Sequence, residues 1–80
     1  MKNVIAKEMN RFKEYVNSFN AKEFGTQFDV DGFNVIVELE KGKTNTASIF
    51  VDHVIITTVT HEDIDKVIEI ASYIVEMEVM

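Results

Sequence analysis

The chain has 80 residues and a mass of 9.2 kDa, which is the size of one small domain. Fourteen acidic residues against eight basic ones give a formal net charge of −6 at pH 7. Nucleic-acid binders draw most of their affinity from Lys and Arg on phosphates, so this balance argues against direct binding to nucleic acid. Cysteine is absent, which excludes disulfides, thiolate catalysis and cysteine-ligated metal centres.

The first predicted element is an amphipathic helix over about residues 3–20. Its apolar residues recur every three or four positions, which is typical of one buried helix face. They are Ile5, Met9, Phe12, Val16 and Phe19. Gly25 is available as the residue that caps the helix C-terminus. Polar residues interrupt the segment, and no stretch of the chain reaches the length of a membrane span, so we expect a cytoplasmic protein with no membrane partner.

Segments with alternating or β-branched apolar residues follow the helix and predict strands. These strands lie at about 26–30, 33–40 and 46–59. Asp31-Gly32, between the first two, is a strong signal for a two-residue hairpin turn.

The last of these segments has apolar residues at both odd and even positions. Ile49, Val51 and Ile55 share one parity, and Phe50, Val54 and Ile56 share the other. A bulge or tight turn at Asp52-His53 explains this pattern, because either one shifts the phase of the alternation. The alternative is one strand covered on both faces. The sequence therefore predicts three or four strands.

A second helix is predicted over about residues 61–77, with Thr60 as its N-cap and Asp63 at the N3 position. Six apolar residues share the face expected to meet the sheet: Ile64, Val67, Ile68, Ala71, Ile74 and Val75. The expected fold is a single α+β domain over residues 1–80, of order α-β-β-β-α. Both helices pack on one face of a small antiparallel sheet.

This order of elements resembles the double-stranded RNA-binding domain, a family that reads RNA with a basic second helix and basic loops. The corresponding helix here carries six carboxylates and one lysine, so its charge opposes that activity. They are Glu62, Asp63, Asp65, Glu69, Glu76 and Glu78, with Lys66. In size, acidity and order the chain is also similar to some small phage-encoded anti-CRISPR inhibitors.

The second helix carries an apolar sector beside its core face, formed by Ile70, Tyr73 and Met77. Together, the core face and this sector form an apolar arc about twice as wide as the stripe that a surface helix needs. Aromatic and methionine side chains are enriched at protein interfaces, so this sector predicts a homodimer contact or a groove for a partner. The alternative is that the first helix or the C-terminal tail covers it.

A line of acidic side chains runs along another face of the same helix. Its members are Glu62, Asp65, Glu69 and Glu76. Such a stripe is often only a solvated surface. Carboxylates on one helix face also resemble backbone phosphates to a protein that binds nucleic acid, so the stripe is a candidate contact for a basic enzyme.

Motifs for catalysis and cofactors are absent from the sequence. His53 and His61 do not match a zinc motif in spacing, and there is no phosphate-binding loop or dinucleotide fingerprint. We therefore expect no catalytic residues, no cofactor and no metal.

The leading interpretation is a non-catalytic, acidic protein-interaction module. In its sharpest form it is a phage- or mobile-element-type inhibitor, a DNA mimic that occupies the basic nucleic-acid-binding surface of a host enzyme. One alternative is a structural or assembly subunit that acts through the apolar sector. The other is a small-ligand or metal-binding regulatory domain that uses His53 and His61.

Overall fold

The chain folds as a helix, four antiparallel strands and a second helix. The computed structural model describes residues 2–79 and assigns α1 to Lys2–Ser18, β1 to Glu23–Val30, β2 to Phe33–Glu40, β3 to Asn45–Val51, β4 to Val54–His61 and α2 to Ile64–Val79. The predicted α+β class is confirmed, with the larger of the two predicted strand numbers. The fourth strand separates this order from that of the double-stranded RNA-binding domain. Within residues 2–79, neither helix is long and apolar enough to cross a membrane.

The sheet is a simple meander in the order β1-β2-β3-β4, and each strand pairs antiparallel with its neighbour in sequence. Both helices pack on the same face. α1 lies against β1, α2 lies against β3 and β4, and the two helices contact each other. The core consists of their facing side chains: Ile5, Met9, Phe12, Val16, Phe24, Phe28, Val30, Val35, Val37, Leu39, Ala47, Ile49, Val59, Val67, Ile68, Ala71, Val75 and Val79.

Two tight hairpin turns explain the strand boundaries. Asp31 and Gly32 have φ angles of 50° and 84°, and Asp52 and His53 have φ angles of 51° and 68°. Positive φ at both central residues is the geometry of the two-residue turn that matches strand twist. Asp52 also accepts a hydrogen bond from the Asn34 backbone N–H at 2.9 Å, which ties this turn to β2.

The segment predicted as 46–59 is therefore two strands joined at Asp52-His53. The pairing of β3 with β4 shifts by one residue between Ile49 and Phe50, which is a β-bulge. The turn and the bulge together account for the apolar residues on both parities.

The end of α1 differs from the prediction. Phe19 lies beyond the helix and is 56% exposed, and Gly25 lies within β1 rather than at a helix cap. The last turn is closed by side chains, since Ser18 Oγ donates to the Glu14 carbonyl at 2.6 Å. Lys41 Nζ donates to the Val16 carbonyl at 2.8 Å, where a cation also complements the helix dipole.

The start of α2 also differs from the prediction. Thr60 lies in β4, and Asp63 is the N-cap, because its Oδ1 accepts the backbone N–H of Asp65 at 2.9 Å. His61 Nδ1 accepts the Asp63 backbone N–H at 2.8 Å. Buried Asn45 completes the junction by donating Nδ2 to the carbonyls of His61 and Glu62.

We expect Asp63→Ala to lower the free energy of unfolding by about 1 kcal/mol, because it removes the N-cap of α2. Thr60→Ala is the matched control and should cost less than about 0.5 kcal/mol, since this exposed residue caps nothing. Urea unfolding followed by circular dichroism compares the two. A larger loss for Thr60→Ala would contradict the assignment of the cap.

Candidate protein-binding surfaces

The helices cover one face of the sheet, and the opposite face has no covering element among residues 2–79. We call this surface the open sheet face. Successive strand residues point to opposite sides, so the neighbours of the buried core residues point into it. Its members are Glu23, Gly25, Gln27, Asp29, Asn34, Ile36, Glu38, Glu40, Thr46, Ser48, Phe50, Ile55, Thr58 and Thr60.

Acidic side chains dominate the charge of the open sheet face. The four strands contain no lysine or arginine, and all four of their carboxylates belong to this face: Glu23, Asp29, Glu38 and Glu40. Glu23 and Glu40 are directly opposite each other in the pairing of β1 with β2. Like charges in such a cross-strand position destabilise a sheet, so the folded state gains no stability from opposing these two carboxylates.

A groove of about 600 Å³ runs beside these carboxylates. It is lined by Glu23, Gly25, Glu38, Glu40, Thr46 and Ser48, together with Tyr15, Phe24 and Leu39. Gly25 contributes no side chain between Glu23 and Gln27, which leaves room at this position. Carboxylate and hydroxyl oxygens accept hydrogen bonds, so the groove suits the amino or guanidinium groups of a basic partner.

An apolar row crosses the same face next to the carboxylates. Ile36 pairs with Phe50, and Phe50 pairs with Ile55, so three apolar side chains lie side by side on β2, β3 and β4. Ile36 and Phe50 are half-buried, and Ile55 is 53% exposed. The open sheet face thus combines acidic groups with an apolar centre that is accessible to a partner.

The acidic stripe predicted on α2 lies beside cationic and amide groups. Asp65 is half-buried and accepts a hydrogen bond from Asn17 Nδ2 at 3.0 Å. Lys66 Nζ is 3.8 Å from Glu69 Oε2. Asp65, Glu69 and Glu76 line a groove between the helices that Lys13 also lines. Glu62 precedes the helix and is exposed. Two carboxylates of the stripe therefore have partners within the molecule, whereas Lys22 and Lys41, which line a groove with Glu23 and Glu40, form no ion pair with them among residues 2–79.

The predicted apolar sector of α2 is exposed. Ile70, Tyr73 and Met77 are 36%, 58% and 73% exposed, so α1 does not bury them. Met80, which completes the tail, lies outside the described residues.

The two histidines do not form a common site. His53 lies in the turn before β4 and His61 is the last residue of β4, so the strand separates them by about 25 Å. No group of three His, Asp or Glu residues within residues 2–79 has an arrangement that could hold a metal ion. The two histidines of the regulatory interpretation thus lie at opposite ends of β4.

Sequence reasoning recovers only part of the open sheet face. The alternation within β2 places Ile36, Glu38 and Glu40 on one face of the sheet. Only the pairing of β2 with β1 and β3 shows that Glu23, Ser48 and Phe50 lie beside them.

Comparison of the chain with protein-family models, curated proteins and solved structures finds no match.

A double-mutant cycle of Glu23→Gln and Glu40→Gln measures the repulsion between the two opposed carboxylates. We expect each single variant to be slightly more stable than the wild type, with a coupling of about 0.2–0.5 kcal/mol. Repeating the urea unfolding in 0.5 M NaCl should reduce the coupling, because salt screens exposed charges. If no coupling is measured at low salt, the carboxylates of Glu23 and Glu40 do not repel each other.

Proposed function

We propose that the protein is a non-catalytic, acidic interaction module that docks its open sheet face on a basic surface of another protein. One observation carries the proposal: a sheet face with four carboxylates and no lysine or arginine also carries a partly exposed apolar row. In its sharpest form, the module is a phage-type inhibitor that occupies the nucleic-acid-binding surface of a host enzyme.

The charge arrangement supports a nucleic-acid-binding surface as the target. Glu38 and Glu40 are two residues apart on one strand, so their Cα atoms are separated by about 7 Å, and Glu23 lies about 5 Å across from Glu40. Carboxylates fixed at such intervals on a sheet present a regular array of negative charge. A channel lined with Lys and Arg attracts such an array as it attracts phosphates.

The apolar row supplies the second part of a specific contact. Charge attraction between exposed groups is long-ranged and sensitive to salt, whereas burial of Ile36, Phe50 and Ile55 acts only at contact. A partner that matches both features gains affinity from the apolar burial and orientation from the charges. A purely basic polymer matches only the carboxylates.

The stripe on α2 is the alternative acidic contact. Glu62, Glu69 and Glu76 carry the same total charge as Glu23, Glu38 and Glu40, which makes the two triplets matched sets. Lysines lie beside both sets, since Lys22 and Lys41 line a groove with Glu23 and Glu40, but only the stripe has an ion pair, between Lys66 and Glu69, among residues 2–79. This pair weakens the attraction of the stripe for a basic partner. We therefore assign the main contact to the open sheet face.

The test uses the immobilised protein, extract from a candidate host at low salt, and elution with duplex DNA or RNA. The proposal predicts that a nucleic-acid-binding protein is captured and then released by the added nucleic acid, because both compete for one surface. The purified binding protein should lose nucleic-acid binding when the module is added.

Matched variants locate the contact. Glu23→Gln, Glu38→Gln and Glu40→Gln together should weaken binding at least tenfold. Glu62→Gln, Glu69→Gln and Glu76→Gln together should weaken it less than threefold. Equal effects of the two triplets would refute the assignment to the open sheet face. Binding that resists both 0.5 M NaCl and nucleic acid would refute docking on a nucleic-acid-binding surface.

A further inference from the structure

β4 is an edge strand with few of the features that normally protect an edge. Val54–Thr60 consists entirely of Val, Ile and Thr, and six of its seven residues are exposed or half-buried. This free edge of the sheet has no charged residue, no proline and no glycine in that segment, and the bulge is its one irregularity. Edges are usually blocked by charges, proline or a covering element, because their free N–H and C=O groups can pair with another strand. The opposite edge, β1, carries Glu23 and Asp29.

Two residues of the apolar sector of α2, Ile70 and Met77, lie on the side of this same edge, whereas Tyr73 lines the groove towards α1. α2 contacts α1 on one side and lies over β3 and β4 on the other, and β4 is outermost in the sheet. Asp65, Ser72 and Glu76 line the groove towards α1. The helical repeat therefore turns Ile70 and Met77 away from α1, to the side of the free edge.

We propose that a second copy of this chain docks on this edge. In the dimer, β4 pairs antiparallel with β4 of the other copy, and the two α2 helices lie side by side above the extended sheet. The proposal is independent of the function assigned to the open sheet face, which stays accessible on both copies.

The geometry of β4 and α2 suits a two-fold axis. Antiparallel pairing of one strand with itself gives the same contact on both copies, as a closed dimer requires. The midpoint of β4 lies between Thr57 and Thr58, and the midpoint of α2 lies between Ala71 and Ser72. Because β4 and α2 are both about 25 Å long and only two residues separate them in the chain, a single two-fold axis passes near both midpoints. Ile70 of one copy then lies near Ile74 of the other.

Charge favours a second copy at this edge over self-association elsewhere. The strip carries little charge, because Val54–Thr60 has no charged residue and Lys66 and Glu78, which border it on α2, have opposite signs; the open sheet face would instead oppose carboxylates of two molecules that each carry a net charge of −6. The area fits a weak, reversible dimer. A contact about 25 Å long, the length of β4, and as deep as the molecule's shortest dimension of 17 Å buries about 850 Å² over both copies, which is below the roughly 1,000 Å² of a stable specific interface.

Sedimentation equilibrium across a range from about 1 to 500 μM tests the proposal. We expect the mass to rise from 9.2 kDa towards twice that value. Ile70→Asp on α2 and Thr58→Lys on β4 should each raise the dissociation constant at least tenfold, since both residues lie close to the two-fold axis and each change places two like charges in the contact. Both residues are exposed, so the fold tolerates the changes.

The controls carry the same charge changes at exposed positions elsewhere. Val4→Asp on α1 and Gln27→Lys on the opposite edge strand should leave the dissociation constant within twofold of the wild type. Hydrogen exchange should slow at the amides of Val54–Thr60 as the concentration rises, and not at those of β1. A constant mass of 9.2 kDa would overturn the proposal and leave this edge to a strand of a different protein. A dimer that the Ile70 and Thr58 variants do not weaken would also overturn it.

Discussion

The packing of both helices on a single face of the sheet is the constraint on which the other features depend. A four-stranded meander has two faces and two edges, and two short helices suffice for one face. Val16 in α1 and Val75 in α2 are completely buried against that face. The acidic open sheet face, the bare edge of β4 and the exposed sector of α2 all follow from this one-sided arrangement.

The same constraint explains which parts of the fold could be predicted. Apolar residues recur with helical spacing from Ile5 to Val16 and from Val67 to Val75, and they recur at every second position over Phe33–Glu40. The spacing is regular because each element buries one face only. Asp31-Gly32 also identifies the turn between β1 and β2, since few pairs of residues adopt positive φ at both positions. Local patterns of this kind require no knowledge of the partner element.

The errors occurred where tertiary contacts decide the outcome. Phe19 continues the helical spacing, but Lys41, from the loop after β2, binds the carbonyl of Val16 and helps to end the helix at Ser18. Thr60 is an acceptable cap by residue type, yet it belongs to β4, so Asp63 caps α2. The open sheet face depends on the register of four strands, and the residues around Glu38 come from three of them. The sequence pattern within one strand does not contain that information.

The most direct test of the account maps where a basic ligand binds. Titration of the ¹⁵N-labelled protein with an arginine-rich peptide, followed by amide chemical shifts at low and high salt, gives this map. The account predicts that the largest shifts fall on the open sheet face around Gly25, Glu38 and Ser48, and that they shrink in 0.5 M NaCl. Shifts centred on Asp65, Glu69 and Glu76, or spread evenly over all acidic residues, would contradict it.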